Sequence, residues 1–248
     1  MVSMSKFILF VLFSCPGAFF LEAQTLNYSS KEEYLEIQML SLPLPEDTVA
    51  SKNNYINGKL YPISGNSYIH PFFVDNLWKS GKIWYSGKEY DILMMKYDLS
   101  RDYLVHLLYK NTSANPVSFN KEFVREFIID GRHFLYLDDF ESSSGNKLNP
   151  GYYEIVYDGE IKFFVRREKL KNVEKDPLDQ NYSLWTYFFL KKNGEYFRVN
   201  GNSGLVNALG THKKELRSFM RKNSVRLKTD SYDSIRSVLD FYNNLNAE

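Results

Sequence analysis

Six glycines in this chain follow a turn-forming residue and precede a charged one: Asn57-Gly58, Ser80-Gly81, Ser86-Gly87, Asp130-Gly131, Asp158-Gly159 and Asn193-Gly194. Asn-Gly and Asp-Gly supply the positive φ angles of two-residue hairpin turns, whose twist matches that of the strands they join. The runs beside them are rich in Tyr and Phe, residues that suit a pleated, half-buried surface. Three hairpins are predicted directly: Phe123–Ile129 with His133–Leu137, Tyr152–Tyr157 with Ile161–Arg167, and Leu184–Leu190 with Tyr196–Val199. Upstream, Lys82–Tyr85 pairs with Tyr90–Tyr97 across Ser86-Gly87, and Tyr103–Tyr109 follows the turn at Asp98-Leu99-Ser100-Arg101. The sum is a meander of about nine strands.

The faces of these strands bear on how they are covered. Tyr90, Ile92 and Met94 oppose Leu93, Met95 and Tyr97, and Trp185, Tyr187 and Phe189 oppose Leu184, Phe188 and Leu190. Strands apolar on both faces are expected to be covered on both. Lys162, Phe164 and Arg166 instead alternate with Ile161, Phe163 and Val165, the pattern of an edge or one-sided strand. After Asn200 the period changes. Lys213–Lys222 places Leu216, Phe219 and Met220 on one helical face. Asp230 or Ser231 can cap a last helix whose stripe is Tyr232, Ile235, Val238, Leu239, Tyr242 and Leu245. The expected fold is mainly β (α+β): an antiparallel β-meander, strongly curled or barrel-like, with amphipathic C-terminal helices packed on it.

Residues 1–23 read as a secretory signal peptide. Lys6 supplies the charge, Phe7–Phe13 the apolar run, and Leu21-Glu22-Ala23 a small-residue cleavage site. An alternative uses Cys15, the chain's one cysteine: Leu12-Phe13-Ser14-Cys15 is a relaxed lipobox that would make it a lipid anchor. Residues 24–54 form a polar lead-in, with a short helix or extended arm at Lys31–Leu40 broken by Pro43 and Pro45. Residues 55–200 form the β domain and 201–248 the helical segment. Lys and Arg total 31 against 30 Asp and Glu, interspersed, so no nucleic-acid footprint exists. Beyond the signal no apolar run is long enough for a transmembrane helix.

No catalytic, cofactor or metal residue is predicted. Ser203 in Gly201-Asn202-Ser203-Gly204 is read as the cap of a short helix, Gly204–Leu209, rather than a nucleophile. His70, His106, His133 and His212 lack metal-site spacing, and His106 and His133 fall within strands as packed or hydrogen-bonded side chains. Asp138-Asp139-Phe140-Glu141 reads as a solvated acidic loop. Arg166-Arg167 with Lys169 and Lys171 reads as a charged edge strand that discourages sheet-to-sheet pairing.

Two stretches carry a resemblance. Pro71-Phe72-Phe73 leads through Gly81-Lys82-Ile83-Trp84-Tyr85-Ser86-Gly87-Lys88-Glu89-Tyr90 to Met95-Lys96-Tyr97-Asp98, and Gly151-Tyr152-Tyr153-Glu154 opens a later hairpin. This pattern resembles that of uncharacterised exported proteins of Bacteroidetes. The resemblance implies export, a bacterial origin and a β-meander, and carries no activity. The leading expectation is therefore an exported envelope protein with a non-enzymatic binding or assembly role. The alternatives are a lipocalin-like barrel carrying a small apolar ligand and a hydrolase with a dispersed Asp, Glu and Ser site.

Overall fold

The computed structural model describes residues 58–63, 69–110, 113–138, 140–141, 147–172, 181–227 and 232–247. The signal segment, the Cys15 lipobox, the lead-in and the Asp230/Ser231 cap lie outside the described residues. Eleven antiparallel strands make one sheet, and three helices follow it. The strands are β1 (Lys59–Leu60), β2 (Lys79–Tyr85), β3 (Lys88–Asp98), β4 (Tyr103–Lys110), β5 (Ser113–Ser118), β6 (Val124–Ile129) and β7 (Arg132–Leu137). A separate two-stranded ribbon, β8 (Phe140–Glu141) with β9 (Lys147–Leu148), precedes β10 (Gly151–Asp158), β11 (Lys162–Asn172), β12 (Asn181–Lys192) and β13 (Glu195–Val199). The helices are α1 (Gly201–Leu209), α2 (Lys213–Lys222) and α3 (Asp233–Ala247).

The order across the sheet is β1-β5-β4-β3-β2-β6-β7-β10-β11-β12-β13. It is an open sheet, not a closed barrel, and not a simple meander. After β5 the chain returns through Phe119–Phe123, which includes a short 3₁₀ turn, and adds β6 to the far side of β2. Phe119 packs on Tyr85 at the start of that return, and the Ser86 N–H donates to the Phe123 carbonyl at its end. The sheet bends enough that the β3–β4 turn meets β11, where the Lys169 N–H donates to the Leu99 carbonyl at 3.3 Å.

Three of the Gly turns are two-residue hairpins with both residues at positive φ. They are Ser86-Gly87 (49° and 77°), Asp130-Gly131 (55° and 69°) and Asn193-Gly194 (52° and 82°). Two others differ from expectation. Ser80-Gly81 lies inside β2, where a Cβ on Gly81 would sit 2.1 Å from the Ile128 carbonyl oxygen, so the glycine serves close strand approach. Asp158-Gly159 begins a three-residue loop to Lys162, and Gly159 keeps a negative φ. Asn57 is outside the described residues.

The two-faced appearance of β3 has a local cause. Lys79 pairs with Met95 but Gly81 with Ile92, so β3 carries a bulge at Leu93–Met94 that reverses the side-chain alternation. Ile92 and Met95 then share one core, and Leu93 is 62% exposed. The strand is covered on one face along its first half, not on two.

Two cores lie along one face of the sheet. Beneath β2–β7 the rings of Tyr97, Phe127, Phe134 and Tyr152 interlock, with Phe127 and Phe134 stacked at 4.7 Å. Over β10–β13 the three helices bury Leu205, Leu209, Leu216, Ile235, Val238 and Leu239 against Phe163, Val165, Leu190 and Val199. Of the predicted α3 stripe, Tyr232 to Tyr242 is buried and Leu245 is half-buried. On α2, Leu216 and Met220 are buried, while Phe219 is half-buried and stacks on Phe241 at 4.3 Å. Lys192 donates to the Leu209 carbonyl at the C-terminal end of α1, a cation at the negative pole of the helix.

Candidate functional site

The basic run of β11 is not an edge. This strand lies between β10 and β12, and Arg166 and Arg167 are only 8% and 7% exposed. Arg167 Nη1 donates to Glu154 Oε2 across the sheet, and Arg132 lies 3.7 Å from the same oxygen. The rings of Phe73 and Tyr232 flank both guanidinium groups at 5.4–5.8 Å. This cluster sits at the seam between the two cores. On the opposite face Arg166 Nε donates to Glu168 at 2.7 Å and Nη1 lies 3.9 Å from Asp102, which also accepts from Tyr97 and Lys121. Lys169 reaches back to the carbonyls of His70 (3.1 Å) and Phe72 (2.7 Å), and burial pushes its ammonium pKa down. Arg166, Arg167 and Lys169 thus anchor β11, and only Lys171 of the predicted patch stands free in solvent.

That anchoring holds a hairpin that outruns its neighbours. β11 and β12 stay in register from Lys162↔Lys191 to Asn172↔Asn181. β13 covers β12 only from Lys192 to Phe188. The outer edge of β12 from Asn181 to Tyr187 therefore has no strand beside it among the described residues. Its sequence, Asn-Tyr-Ser-Leu-Trp-Thr-Tyr, contains no charge and no proline. Leu184 is 53% and Trp185 50% exposed, on opposite faces, and Leu170 on β11 is 50% exposed. Strand edges in natural sheets are commonly blunted by charge, proline or brevity. This stretch has none of these: the charges on β12 are Lys191 and Lys192, at the end that β13 covers, and the others lie on β11.

The remaining sequence-predicted positions are not brought together. Ser203 is the third residue of α1, whose N-cap is Asn200 without a side-chain bond; the helix starts three residues earlier than expected, so Ser203 caps nothing. His106 is a core side chain stacked on Phe119 at 4.5 Å, with its ring pushed down to about 4 by burial. His133 bonds Glu126 at 2.8 Å on the surface, His70 accepts the Phe72 N–H, and His212 is the N-cap residue of α2. Asp138 is exposed and faces Arg125 at 3.4 Å. Among the described residues no cluster of His, Cys, Asp and Glu could hold a metal. No described helix is long and apolar enough to cross a membrane.

The buried carboxylates are committed to structure. Asp98 accepts from Tyr61 at 2.6 Å and from the N–H groups of Ser100 and Arg101, holding the β3–β4 turn. Asp102 and Glu154 are paired with bases as above. A cleft of about 800 Å³ opens between Lys59, Tyr103, Lys121, Arg125 and Tyr136, with Glu122 and Asp138 also on its wall. Its charges are mixed in sign, and Lys121 is already bound to Asp102. The β12 edge was missed in sequence because nothing local marks where β13 stops. The signal that could have found it is the uncharged run itself. Comparison with known proteins finds no matching family model, no matching curated protein and no matching solved structure.

Proposed function

We propose that this chain is an exported envelope protein that works by binding, through addition of an extended strand to the open edge of β12. The observation that carries the reading is the uncharged seven-residue edge from Asn181 to Tyr187, with exposed Leu184 and Trp185 at its middle. Main-chain hydrogen bonds along such an edge supply affinity, and side chains on alternate faces supply selectivity. The export half of the reading rests on Lys6, the Phe7–Phe13 run and Ala23, with Cys15 lipidation as the other route to the envelope.

The carrier alternative is weakened by the interior. The sheet is open, and the core beneath β2–β7 is occupied: Tyr97 lies 5.1 Å from Phe127 and 5.3 Å from Phe134, and Tyr152 lies 5.0 Å from Phe127. Rings at these separations are packed against one another, which leaves no room for an apolar ligand between them. The hydrolase alternative is weakened by the pairing of Asp98, Asp102 and Glu154, which would have to leave the buried Tyr61, Tyr97 and Arg167 to act.

Amide hydrogen exchange tests the edge. In dilute protein, alternate amides between Asn181 and Tyr187 should exchange far faster than those of β11 opposite them. A peptide with the sequence of residues 181–187 should slow them. Amides that are already protected in the dilute protein, or that the peptide leaves unchanged, would overturn the reading.

A further inference from the structure

We infer that the strand received by β12 is β12 of a second copy of this chain, paired antiparallel about a two-fold axis through Leu184. The inference rests on the edge-addition reading above and names its partner.

Three features single out a second copy. The first is length. β13 ends opposite Phe188, so the open edge runs from Tyr187 to Asn181, and Leu184 is its middle residue. A two-fold axis at Leu184 places Asn181 opposite Tyr187 of the second copy, Tyr182 opposite Thr186, and Ser183 opposite Trp185. The whole free edge is used with no overhang onto β13.

The second feature is charge. Self-pairing sets a strand against its own sequence, and a charge facing the same charge across a ladder is destabilising. The run from Asn181 to Tyr187 contains none, so no register about this axis opposes like charges. Apart from Lys191 and Lys192, at the end of β12 that β13 covers, the charged residues of the two strands lie on β11, one strand further in.

The third feature is shape. Residues in register across an antiparallel ladder share a face. Leu170 pairs with Ser183, so both point to the face that carries Trp185. In the two-fold pair, Trp185 of the second copy comes opposite Ser183. An indole beside a serine can lie over it and reach Leu170 on the next strand. The two tryptophans become diagonal neighbours on the same face. On the other face Leu184 meets Leu184 of the second copy. The exposed Leu170, Leu184 and Trp185 are all covered by this one operation. Such an isologous contact is closed, so it yields a dimer rather than a fibre. Seven residue pairs and three apolar side chains a side fall at the small end of specific interfaces, so the dimer is weak.

Sedimentation equilibrium of the chain, from about 1 to about 200 μM, should show the mass rise toward twice that of the monomer, as expected for a small interface. Leu184→Lys and Leu184→Glu should each remain monomeric over that range, because two like charges meet at the axis. An equimolar mixture of the two variants should recover the dimer. Leu184 is half exposed, so the melting temperature of each dilute variant should match that of the parent, which separates loss of association from loss of fold.

A monomer at every concentration overturns the second copy as partner. If the residue 181–187 peptide still protects the edge amides, the strand-addition reading survives alone. If the peptide also fails, both fall. A dimer that persists in Leu184→Lys, or a mixture that stays monomeric, overturns the proposed axis.

Discussion

The guanidinium of Arg167 and the carboxylate of Glu154 meet across β11 and β10 with both side chains more than nine-tenths buried. They do so where the ring-packed core under β2–β7 gives way to the helix-covered core over β10–β13. Removing one partner of a buried pair leaves the other as an uncompensated charge, at a cost of about 3 to 5 kcal/mol. Glu154→Met should lower the unfolding free energy by that order, and Arg167→Met by less, because Arg132 stays 3.7 Å from the Glu154 carboxylate. The double variant should recover most of the loss, because apolar groups of similar volume often replace a buried pair without penalty. Chemical denaturation of the four proteins, read as a double-mutant cycle, checks this.

Acid should weaken the fold through His106. Its ring titrates near 6.5 when unfolded and near 4 when buried against Phe119. Between those values the unfolded chain binds the extra proton, so stability is present above pH 6.5 and is lost as pH falls toward 4. The difference corresponds to about 3 kcal/mol. Stability measured between pH 7 and pH 4 should fall more steeply for the parent than for His106→Leu, with the gap closing above pH 7. Parallel slopes would show that His106 is free to titrate in the folded state.

Two glycines offer a paired test of turn chemistry. Gly131 holds φ at 69° in a two-residue hairpin, so Gly131→Val should cost about 1 to 3 kcal/mol. Gly159 has an ordinary φ, and a Cβ there would meet its nearest atom, on the Tyr157 ring, at 3.5 Å. Gly159→Val should therefore leave the thermal midpoint nearly unchanged. A larger loss at Gly159 than at Gly131 would reverse the assignment of the two loops.

The last helix belongs to the fold. Ile235, Val238 and Leu239 are fully buried, and truncating one large buried aliphatic to alanine costs about 2 to 5 kcal/mol. Leu239→Ala should fall in that range by denaturant titration. A chain ending at Lys228 should be insoluble or lack a cooperative transition. A soluble, sharply melting truncation would make α3 a peripheral element.

Amino-terminal sequencing of the protein recovered from a bacterial envelope distinguishes the routes of export. A start at Gln24 is expected, a blocked start at Cys15 indicates lipidation, and a cytoplasmic product beginning at Met1 removes the export proposal.

Local chemistry made much of this legible and tertiary context hid the rest. Asp130-Gly131 and Asn193-Gly194 could be read because a two-residue turn is specified by the two residues that form it. Ser80-Gly81 looks the same in sequence, yet its glycine is required by a carbonyl on β6, 47 residues away from Gly81 at Ile128. The alternation in β3 was misread because a bulge adds one residue without changing composition. Arg166-Arg167 was placed on an edge because a charge facing water and a charge facing a buried carboxylate give the same alternation. Glu154 and Asp102, the groups that decide between them, lie elsewhere in the chain. The apolar residues of β12 were read as doubly covered, whereas coverage ends where β13 ends, a matter of strand length that Leu184 and Trp185 do not encode.

The return of the chain from β5 to the far side of β2 sets an order of events during synthesis. β2 finds β3 at once across Ser86-Gly87, and β4 and β5 add in turn. Its other edge must wait until Val124–Ile129 has been made. Throughout that interval β2, an interior strand of the final sheet, is an outer one, bearing Ile83 beside a backbone with no partner. The link that ends the wait, Phe119–Phe123, is only five residues long and crosses three strands. A link that short reaches across a flat sheet only when nearly fully extended, so curling of the sheet eases its closure. The N-terminal half is therefore open to capture by a foreign strand along β2 from its first hairpin onward, and the pairing of β6 is the step that ends the exposure.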